Sequence, residues 1–286
     1  MILVTGAAGK TGRAVIRALV ARGAEVRGLV HRVEQREVVR EAGACEAVVG
    51  DIRASPDVAS AVEGIRAVYH IPPNVSPSEV VIGETVIEAA LAAGVEHFVF
   101  HSVLHPQVEA MPHHWLKLRV EEILFTSGLP YTILQPTAYM QNILGQWQSI
   151  MEEGRYVLPY AVETRLSLID LQDVAEIAAL VLTESDHLWA TYELVGTEPL
   201  SQLEVAALLS EALGCPVRAE TQSRKLWESQ ARTSGLGEYQ VETLLKMFRY
   251  YERFGFTGNP YVAGSLLGRS PATLQDFAQR IAGTSV

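Results

Sequence analysis

Residues 4–12 read VTGAAGKTG and place Gly6, Gly9 and Gly12 between an apolar run and an amphipathic stretch. In a strand–turn–helix unit, the first glycine of such a triplet permits the tight turn, and the second lets the backbone approach a pyrophosphate. The third lets the helix pack closely on the sheet, and the N-terminus of that helix then faces the phosphate charge. We expect this turn to bind a dinucleotide rather than to serve chain geometry alone, through Gly6, Ala8, Gly9, Lys10, Thr11 and Gly12.

The string GKT in this turn also suggests the P-loop of nucleoside triphosphatases, whose pattern is GxxxxGK[ST]. That pattern requires a glycine five positions before Gly9, and the chain has Val4 there. The P-loop interpretation is therefore excluded.

Around this turn, short apolar runs alternate with amphipathic stretches of about 10–15 residues, which indicates βαβ units and a buried parallel sheet. Glycines at the expected helix ends support the segmentation; they are Gly23, Gly43, Gly64 and Gly94. We predict an α/β protein, a Rossmann-type doubly wound parallel sheet with a smaller, mostly helical C-terminal lobe. Residues 1–136 would form the Rossmann domain, with 165–185 returning to it, and 137–164 and 186–286 would form the lobe.

The choice between the two nicotinamide cofactors is expected at the end of the second strand, GAEVRGLVHR. An NAD enzyme usually places an acidic residue there to bind the ribose hydroxyls. This chain has Val30, His31 and Arg32 instead, so no carboxylate repels a 2′-phosphate and a cation can pair with it. The pattern favours NADP(H) over NAD(H) through His31 and Arg32, although Arg32 could also be simply solvated.

The composition narrows the classes of protein to consider. Of the 286 residues, 48% are apolar and 20% charged, which is ordinary for a globular protein with a sizeable core. The net charge of −10 argues against nucleic acid or an anionic membrane as the main partner. The two cysteines, Cys45 and Cys215, form no CxxC, and no basic leader precedes MILVTG. We therefore expect a cytoplasmic protein in a reducing compartment.

Several segments occur in an order typical of one family. They are VTGAAGKTG, GDIRASPDVASAVEGIRAVYHIPP, HFVFHSVLHP, LKLRVEEILFTSGLPYTILQPTAYMQN and LIDLQDVAEIAALVL, followed by YELVGTEPLSQLEVAALLSEALGCPV and GSLLGRSPATLQDFAQR. With these segments the chain resembles the NmrA-like proteins, which are atypical short-chain dehydrogenases, over nearly its whole length. Relatives in that family include quinone and dye reductases, isoflavone-type reductases and catalytically silent NADP(H) sensors.

The resemblance implies cofactor contacts for residues that follow two predicted strands. Asp51 and Ile52 would lie against the adenine, while Ile71, Pro72 and Pro73 would border the ribose and nicotinamide. Without the family, Asp51 could be an ordinary turn residue and the two prolines a rigid loop. Their position at the C-terminal ends of parallel strands favours the functional interpretation, because ligands bind at that edge.

The resemblance also implies a role for Lys117 in HHWLK, residues 113–117. Short-chain dehydrogenases pair such a lysine with a tyrosine four residues earlier, and here His113 takes the tyrosine's place. Many NmrA-like proteins keep the lysine and lose the tyrosine. Lys117 would therefore hydrogen-bond the nicotinamide ribose first and assist acid catalysis only indirectly, while Tyr139 to Asn142 would close over the nicotinamide.

Four residues are candidates for a proton donor. His113 lies one helical turn before Lys117, and the neighbouring cation should lower the pKa of its imidazole, which weakens it as an acid. Tyr139 is a second candidate, and His101 and Ser102, at the end of the fifth strand, are others; Ser102 is also a candidate cofactor contact. A structural role is the alternative for each of them. The histidines at 101, 105, 113 and 114 have no recognised metal-ligand spacing, so no metal is expected.

We interpret the chain as an NADP(H)-dependent oxidoreductase that transfers hydride to a small apolar carbonyl, quinone or conjugated acceptor. The alternative is a non-catalytic NADP(H)-binding redox sensor with a protein partner, and an epimerase is less favoured. A homodimer is compatible with either. Aromatic residues of the lobe could line a substrate pocket or form its core; they are Trp147, Tyr156, Tyr160, Trp227, Phe248 and Tyr251.

Overall fold

The computed structural model describes residues 1–283 and divides into two compact units. The first unit contains residues 1–109, 113–135 and 174–192. The second contains residues 110–112 and 136–173 and the chain from Glu193 onward.

The first unit is built on a seven-stranded sheet with the order β11-β6-β5-β4-β1-β2-β3. Its strands are β1 Ile2–Val4, β2 Val26–Val30, β3 Glu46–Val49, β4 Ala67–His70, β5 His97–His101, β6 Tyr131–Pro136 and β11 Ala190–Leu194. Across the sheet, the six neighbouring strands β3, β2, β1, β4, β5 and β6 pair in parallel. Because β1 lies between β2 and β4, the chain reverses its winding direction at β1, and ligands bind at such a switch point. The predicted Rossmann-type fold class is confirmed.

The crossovers between these strands are helical. The helices are α1 Lys10–Ala21, α2 Gln35–Glu41, α3 Ser55–Val62, α4 Glu79–Ala92, α5 Pro112–Ser127 and α7 Leu171–Thr183. All four glycines expected at helix ends have positive φ, the left-handed conformation that closes a helix without steric cost for glycine.

The core of the first unit explains why its strands are continuous apolar runs. Every residue of β1, β4 and β5 is buried, because a parallel sheet is covered on both faces. On one face Val68, Phe98 and Phe100 pack in a cluster that also contains Ile82 of α4 and Leu124 of α5. Each such side chain contributes about 1.5–3 kcal/mol on burial, so this cluster fixes the helices against the sheet.

The second unit is mostly helical and carries only short strands. Its helices are α6 Trp147–Glu153, α8 Gln202–Leu213, α9 Arg224–Thr233, α10 Glu238–Phe254, α11 Tyr261–Leu267 and α12 Leu274–Gly283, with a 3-10 helix at Met140–Gln146. Its strands form three two-stranded sheets: β7 Ala138–Tyr139 with β10 Leu168–Ile169, β9 Arg165–Leu166 with β12 Leu200–Ser201, and β8 Arg155–Leu158 with β13 Arg218–Thr221. Ser201 and Glu204 form a capping box that starts α8.

The strand that completes the large sheet differs from the one expected. The segment RLSLID was expected to be a strand returning to the main body, but it forms β9 and β10 of the second unit. The edge strand is β11, in the segment TYELVG, which was expected to belong to the lobe. Its polar residues alternate with less polar ones because an edge strand keeps part of its surface in water. None of the helices among residues 1–283 combines the length and apolarity that crossing a bilayer requires.

Candidate functional site

The glycine turn connects β1 to α1 with very little space around its backbone. Gly6 has a φ of +59°, and a Cβ there would lie 3.0 Å from the carbonyl oxygen of Ile71. A Cβ on Gly12 would lie 2.4 Å from the oxygen of Gly6 and 2.7 Å from Cα of Ala7. The amide of Gly9 donates to the oxygen of Gly6 at 3.0 Å, which closes the turn. The turn therefore requires glycine at its first and third positions for steric reasons.

This turn leaves the start of α1 open to an anion. The first N–H groups of a helix have no partner within the helix, and Gly9 at the N-cap has no side chain to accept from them. The first turn of α1 contains no acidic residue, so the positive end of the helix dipole is not compensated there. Lys10 is exposed beside this terminus, and Thr11 and Gly12 are buried against the unit. These features fit the pyrophosphate of a dinucleotide.

The turn is tied to the end of β4 by Thr5. The Thr5 hydroxyl accepts a hydrogen bond from the amide of Ile71 at 2.8 Å and lies 3.0 Å from Nδ1 of His70. This contact holds Ile71 and the following Pro72 and Pro73 beside the turn. Pro72 is buried and Pro73 is exposed.

His31 and Arg32 follow β2 and are both exposed. Their backbone amides donate to the side-chain oxygen of Gln35 at 3.1 and 3.0 Å, so the loop is held while both side chains face solvent. Nε of Arg36, in the first turn of α2, is buried without a hydrogen-bond partner among the described residues. A cationic edge held in this way fits the 2′-phosphate of an NADP-type cofactor.

Asp51 follows β3 and is paired with Arg53. Nη2 of Arg53 lies 2.7 Å from Oδ2 of Asp51, and this contact holds the pKa of the carboxyl at about 2. The amide of Asp51 donates to Oδ2 of Asp57 at 2.8 Å. Ile52, which lies between Asp51 and Arg53 in the sequence, is half-buried. Asp51 is therefore an ordered, ionised residue at the same edge of the sheet as the glycine turn.

Lys117 is engaged with a residue that the sequence analysis did not single out. Its ammonium donates to Oε1 of Glu79 at 2.8 Å and to the carbonyl oxygen of His101 at 3.5 Å. It also lies over the ring of Phe100, 5.6 Å from the ring centre. Glu79 is the first residue of α4, and its side chain is 3% exposed against 15% for that of Lys117.

His113 has the environment of a neutral imidazole. Burial, and secondarily the charge of Lys117, lower its pKa to about 4. A lowered pKa was expected from the neighbouring lysine, but burial is the larger cause. Nδ1 of His113 is buried without a hydrogen-bond partner among the described residues, and its ring lies edge-on to that of His114, 4.5 Å away. At neutral pH very little of this imidazole carries the proton that a general acid would donate.

Two further histidines are buried at the ends of β4 and β5. Burial and the charge of Lys117 lower the pKa values of His70 and His101 to about 3. The hydroxyl of Tyr69 lies 2.6 Å from Nδ1 of His101, and the ring of His70 stacks on that of Phe100. Among the described residues, no group of three or more potential ligands is arranged to hold a metal ion.

Ser102 belongs to a buried polar network next to these histidines. Its hydroxyl donates to Oε1 of Glu121, and Nε2 of Gln135 donates to both oxygens of that carboxyl at 2.9 and 3.0 Å. Burial raises the pKa of Glu121, against the opposing effect of these hydrogen bonds. The hydroxyl proton of Ser102 is thus directed at Glu121.

Tyr139 and Asn142 lie in the second unit. Tyr139 ends β7, opposite Ile169 of β10, and Asn142 is exposed in the 3-10 helix that follows. In the same unit, Tyr160 and Tyr251 are buried with ring centres 6.3 Å apart, so these aromatic residues belong to the core. Tyr251 also borders an open cavity of about 440 Å³.

The first unit contains most of the predicted site: the glycine turn, the loops after β2, β3 and β4, and the residues Ser102, His113 and Lys117. Sequence reasoning missed Gln35, Glu79 and Glu121. Glu121 follows Lys117 by four residues on the same helix, and that spacing is a signal for a shared face. Glu79 gave no comparable local signal.

Comparison with known proteins gives the family and the relatives of this chain. The family model described as the NmrA-like family matches residues 1–275. The NAD(P)H azoreductase of Xenophilus azovorans is 31% identical to this chain, covering 98% of it and 97% of the relative. Quinone oxidoreductase 2 of Escherichia coli (strain K12) is 25% identical, covering 98% of each chain. The solved structure of Citrobacter sp. triphenylmethane reductase complexed with NADP(H) is 25% identical with a TM-score of 0.85, covering 99% of this chain and 100% of that one.

Proposed function

The chain belongs to the NmrA-like family, and we propose that it is an NADP(H)-dependent reductase that transfers hydride to a small apolar quinone, carbonyl or conjugated acceptor. The observation that carries the cofactor assignment is the glycine turn, whose first and third positions have no space for a Cβ beside an uncapped helix N-terminus. NAD(H) is a weaker candidate, because the two residues directly after β2 are His31 and Arg32, where an NAD enzyme usually has a carboxylate; the nearest one, Glu34, comes at the N-cap of α2.

The names of the relatives support the reaction class. These relatives are an NAD(P)H azoreductase, a quinone oxidoreductase and a triphenylmethane reductase, and all three match this chain over nearly its whole length and over nearly the whole of their own. Azo compounds, quinones and triphenylmethane dyes are all conjugated molecules that accept a hydride. We propose an acceptor of this chemical class for the present protein.

Residues of the first unit would hold the cofactor. The glycine turn with Ala8, Lys10 and Thr11 would bind the pyrophosphate, and His31 with Arg32 would bind the 2′-phosphate. The loops after β3 and β4 would border the adenine and the nicotinamide ribose; their residues are Asp51, Ile52, Ile71, Pro72 and Pro73. When bound, NADPH supplies the hydride.

Lys117 and Ser102 would lie on the nicotinamide side of the proposed site. An ammonium has three N–H groups, and Lys117 directs two of them at Glu79 and His101. We propose that the third binds a ribose hydroxyl. Ser102 would border the ribose while remaining bonded to Glu121.

The proton chemistry favours acceptors that need no strong protein acid. His113, with its pKa lowered to about 4, is a poor donor at neutral pH, although its neutral N–H can still donate a hydrogen bond to an acceptor oxygen or nitrogen. Reduced quinones and azo compounds take protons readily from water. Tyr139 remains a candidate for closing the site together with Asn142, and we propose no proton transfer through it.

The first unit would thus be the cofactor domain and the second the substrate lobe. Cys45 and Cys215 are both free thiols, which fits a cytoplasmic setting. A homodimer also remains a proposal, and light scattering on the purified protein would test it.

NADPH consumption tests the proposed reaction, measured over a panel of quinones, azo dyes, triphenylmethane dyes, aldehydes and ketones. Wild type should consume NADPH with at least one conjugated acceptor. Lys117→Ala should lower kcat/KM by about tenfold or more, because one charge-assisted hydrogen bond contributes about 1.5–3 kcal/mol. Binding of NADPH by a wild type that leaves every acceptor untouched would contradict the reductase and favour a redox sensor with a protein partner.

A further inference from the structure

We infer that Glu79 is a positioning residue for Lys117, holding its ammonium where the cofactor ribose binds. The inference rests on the proposed function and adds to it a residue from a different helix. Its basis is the buried ion pair between α4 and α5, with Nζ of Lys117 2.8 Å from Oε1 of Glu79.

The pair is created by the close approach of two helices. A Cβ on Gly83 would lie 2.6 Å from Cγ1 of Val120, so α4 and α5 can approach this closely only because residue 83 is glycine. Glu79 lies one turn before Gly83 on α4, and Lys117 lies three residues before Val120 on α5. The packing at Gly83 and Val120 therefore brings the carboxylate and the ammonium face to face.

The place of Glu79 at the start of α4 also favours a carboxylate. The N-terminus of a helix carries partial positive charge, which stabilises an anion in its first turn. Residue Glu79 is 2% exposed, so its carboxylate has little access to water and depends on Lys117 as its counter-charge. The surrounding protein therefore leaves this carboxylate little room to turn away from the lysine.

Stability alone does not account for such a pair. A buried ion pair is often no more stable than well-packed apolar residues of similar volume, because both charges lose their hydration. What the pair does supply is geometry: it restrains a flexible four-carbon side chain to one position. The carbonyl of His101, at 3.5 Å, is a long and weak second acceptor, so Glu79 determines where the ammonium lies.

The consequence is a specific dependence of cofactor affinity on Glu79. Replacing Glu79 with glutamine keeps the shape of the side chain but removes the charge that holds Lys117. The Kd for NADPH should rise about tenfold, the cost expected when a charge-assisted hydrogen bond is misaligned. KM for the acceptor should change little, because Glu79 would act only through the lysine.

A double-mutant cycle tests this inference on NADPH binding, measured by the change in nicotinamide fluorescence. The variants are Glu79→Gln, Lys117→Met and the double variant, with Glu88→Gln as the control, because Glu88 is an exposed carboxylate on the same helix. Glu79→Gln should raise Kd about tenfold in the wild-type background and by less than about twofold in the Lys117→Met background. Glu88→Gln should bind as wild type does.

The outcomes separate this inference from the proposed function. If Lys117→Met leaves the Kd for NADPH unchanged, the cofactor role of the lysine fails, and the inference fails with it. If Lys117→Met weakens binding but Glu79→Gln does not, or if the two effects multiply in the double variant, only the positioning role is overturned. Thermal melting of each variant checks folding, and the double variant avoids an unpaired buried charge. Should Glu79→Gln fail to fold, Glu79→Asp replaces it in the same cycle. It keeps the charge but sets the carboxylate back by one methylene, so it should raise the Kd for NADPH less than Glu79→Gln and, again, only in the background that contains Lys117.

Discussion

Replacing Gly12 with alanine should weaken NADPH binding and destabilise the first unit together. A Cβ at this position would lie 2.4 Å from the oxygen of Gly6, 2.7 Å from Cα of Ala7 and 2.8 Å from the oxygen of Ala7. All three neighbours are backbone atoms, so no flexible side chain can move aside. The turn itself must shift, and with it the amides at the start of α1.

The size of the effect follows from these contacts. Overpacking of a tight site typically costs about 1–3 kcal/mol of unfolding free energy, which in a chain of this length lowers Tm by about 2–12 °C. Misaligning one charge-assisted hydrogen bond to the pyrophosphate costs about 1.5–3 kcal/mol of binding, or about 10- to 150-fold in Kd. Titration calorimetry with NADPH and thermal melting would measure the two quantities.

Two other glycines provide graded comparisons. A Cβ on Gly9 would lie 3.2 Å from the oxygen of Gly6, so Gly9→Ala should lower Tm less than Gly12→Ala does, while its methyl group would still crowd the pyrophosphate and raise the Kd for NADPH. A Cβ on Gly145 would meet nothing within 4 Å, so Gly145→Ala should match wild type in Kd and Tm. The reasoning is refuted if Gly12→Ala binds NADPH with the affinity of wild type and melts at the same temperature.

Two further predictions concern the cationic edge and the buried histidines. Arg32→Ala should raise the Kd for NADPH about tenfold and leave that for NADH unchanged, measured by titration with each; an equal loss for both would exclude a 2′-phosphate contact. Lowering the pH from about 7 to about 5 should lower the urea midpoint, because His70 and His101, with pKa values of about 3 when folded and 6.5 otherwise, bind a proton only on unfolding. Each such histidine should lower the free energy of unfolding by about 2 kcal/mol between pH 7 and 5, because its unfolded form gains a proton only as the pH falls through about 6.5. A midpoint independent of pH would contradict their neutral burial.

The fold was predictable from the sequence where local chain geometry determines it. The glycine turn, the apolar strands and the glycines that end the helices are each required by the backbone within a few residues. The edge strand β11 was not anticipated, since an alternating, partly exposed strand resembles a strand of a small surface sheet. Its membership in the large sheet depends on pairing with β6, far away in sequence.

The candidate site was predictable only in part, for a related reason. Lys117 and His113 were found because they share one helix with a recognisable spacing. Glu79 was missed because it is 38 residues from Lys117 and meets it only through the packing of α4 on α5. The lowered pKa of His113 was anticipated from its neighbour, but its main cause, burial, is a property of the folded chain.

The central claim is that this protein transfers hydride from a nicotinamide cofactor to an acceptor. Turnover of a triphenylmethane dye with NADPH that carries two deuterium atoms at C4 of the nicotinamide tests it most directly, because the central carbon of the reduced dye retains the transferred hydrogen. Mass spectrometry of the reduced dye should show one deuterium at that carbon, and no such product should form without the protein. Reduced dye without deuterium, or no reduced dye from a protein that binds NADPH, would contradict the proposed hydride transfer to this acceptor class.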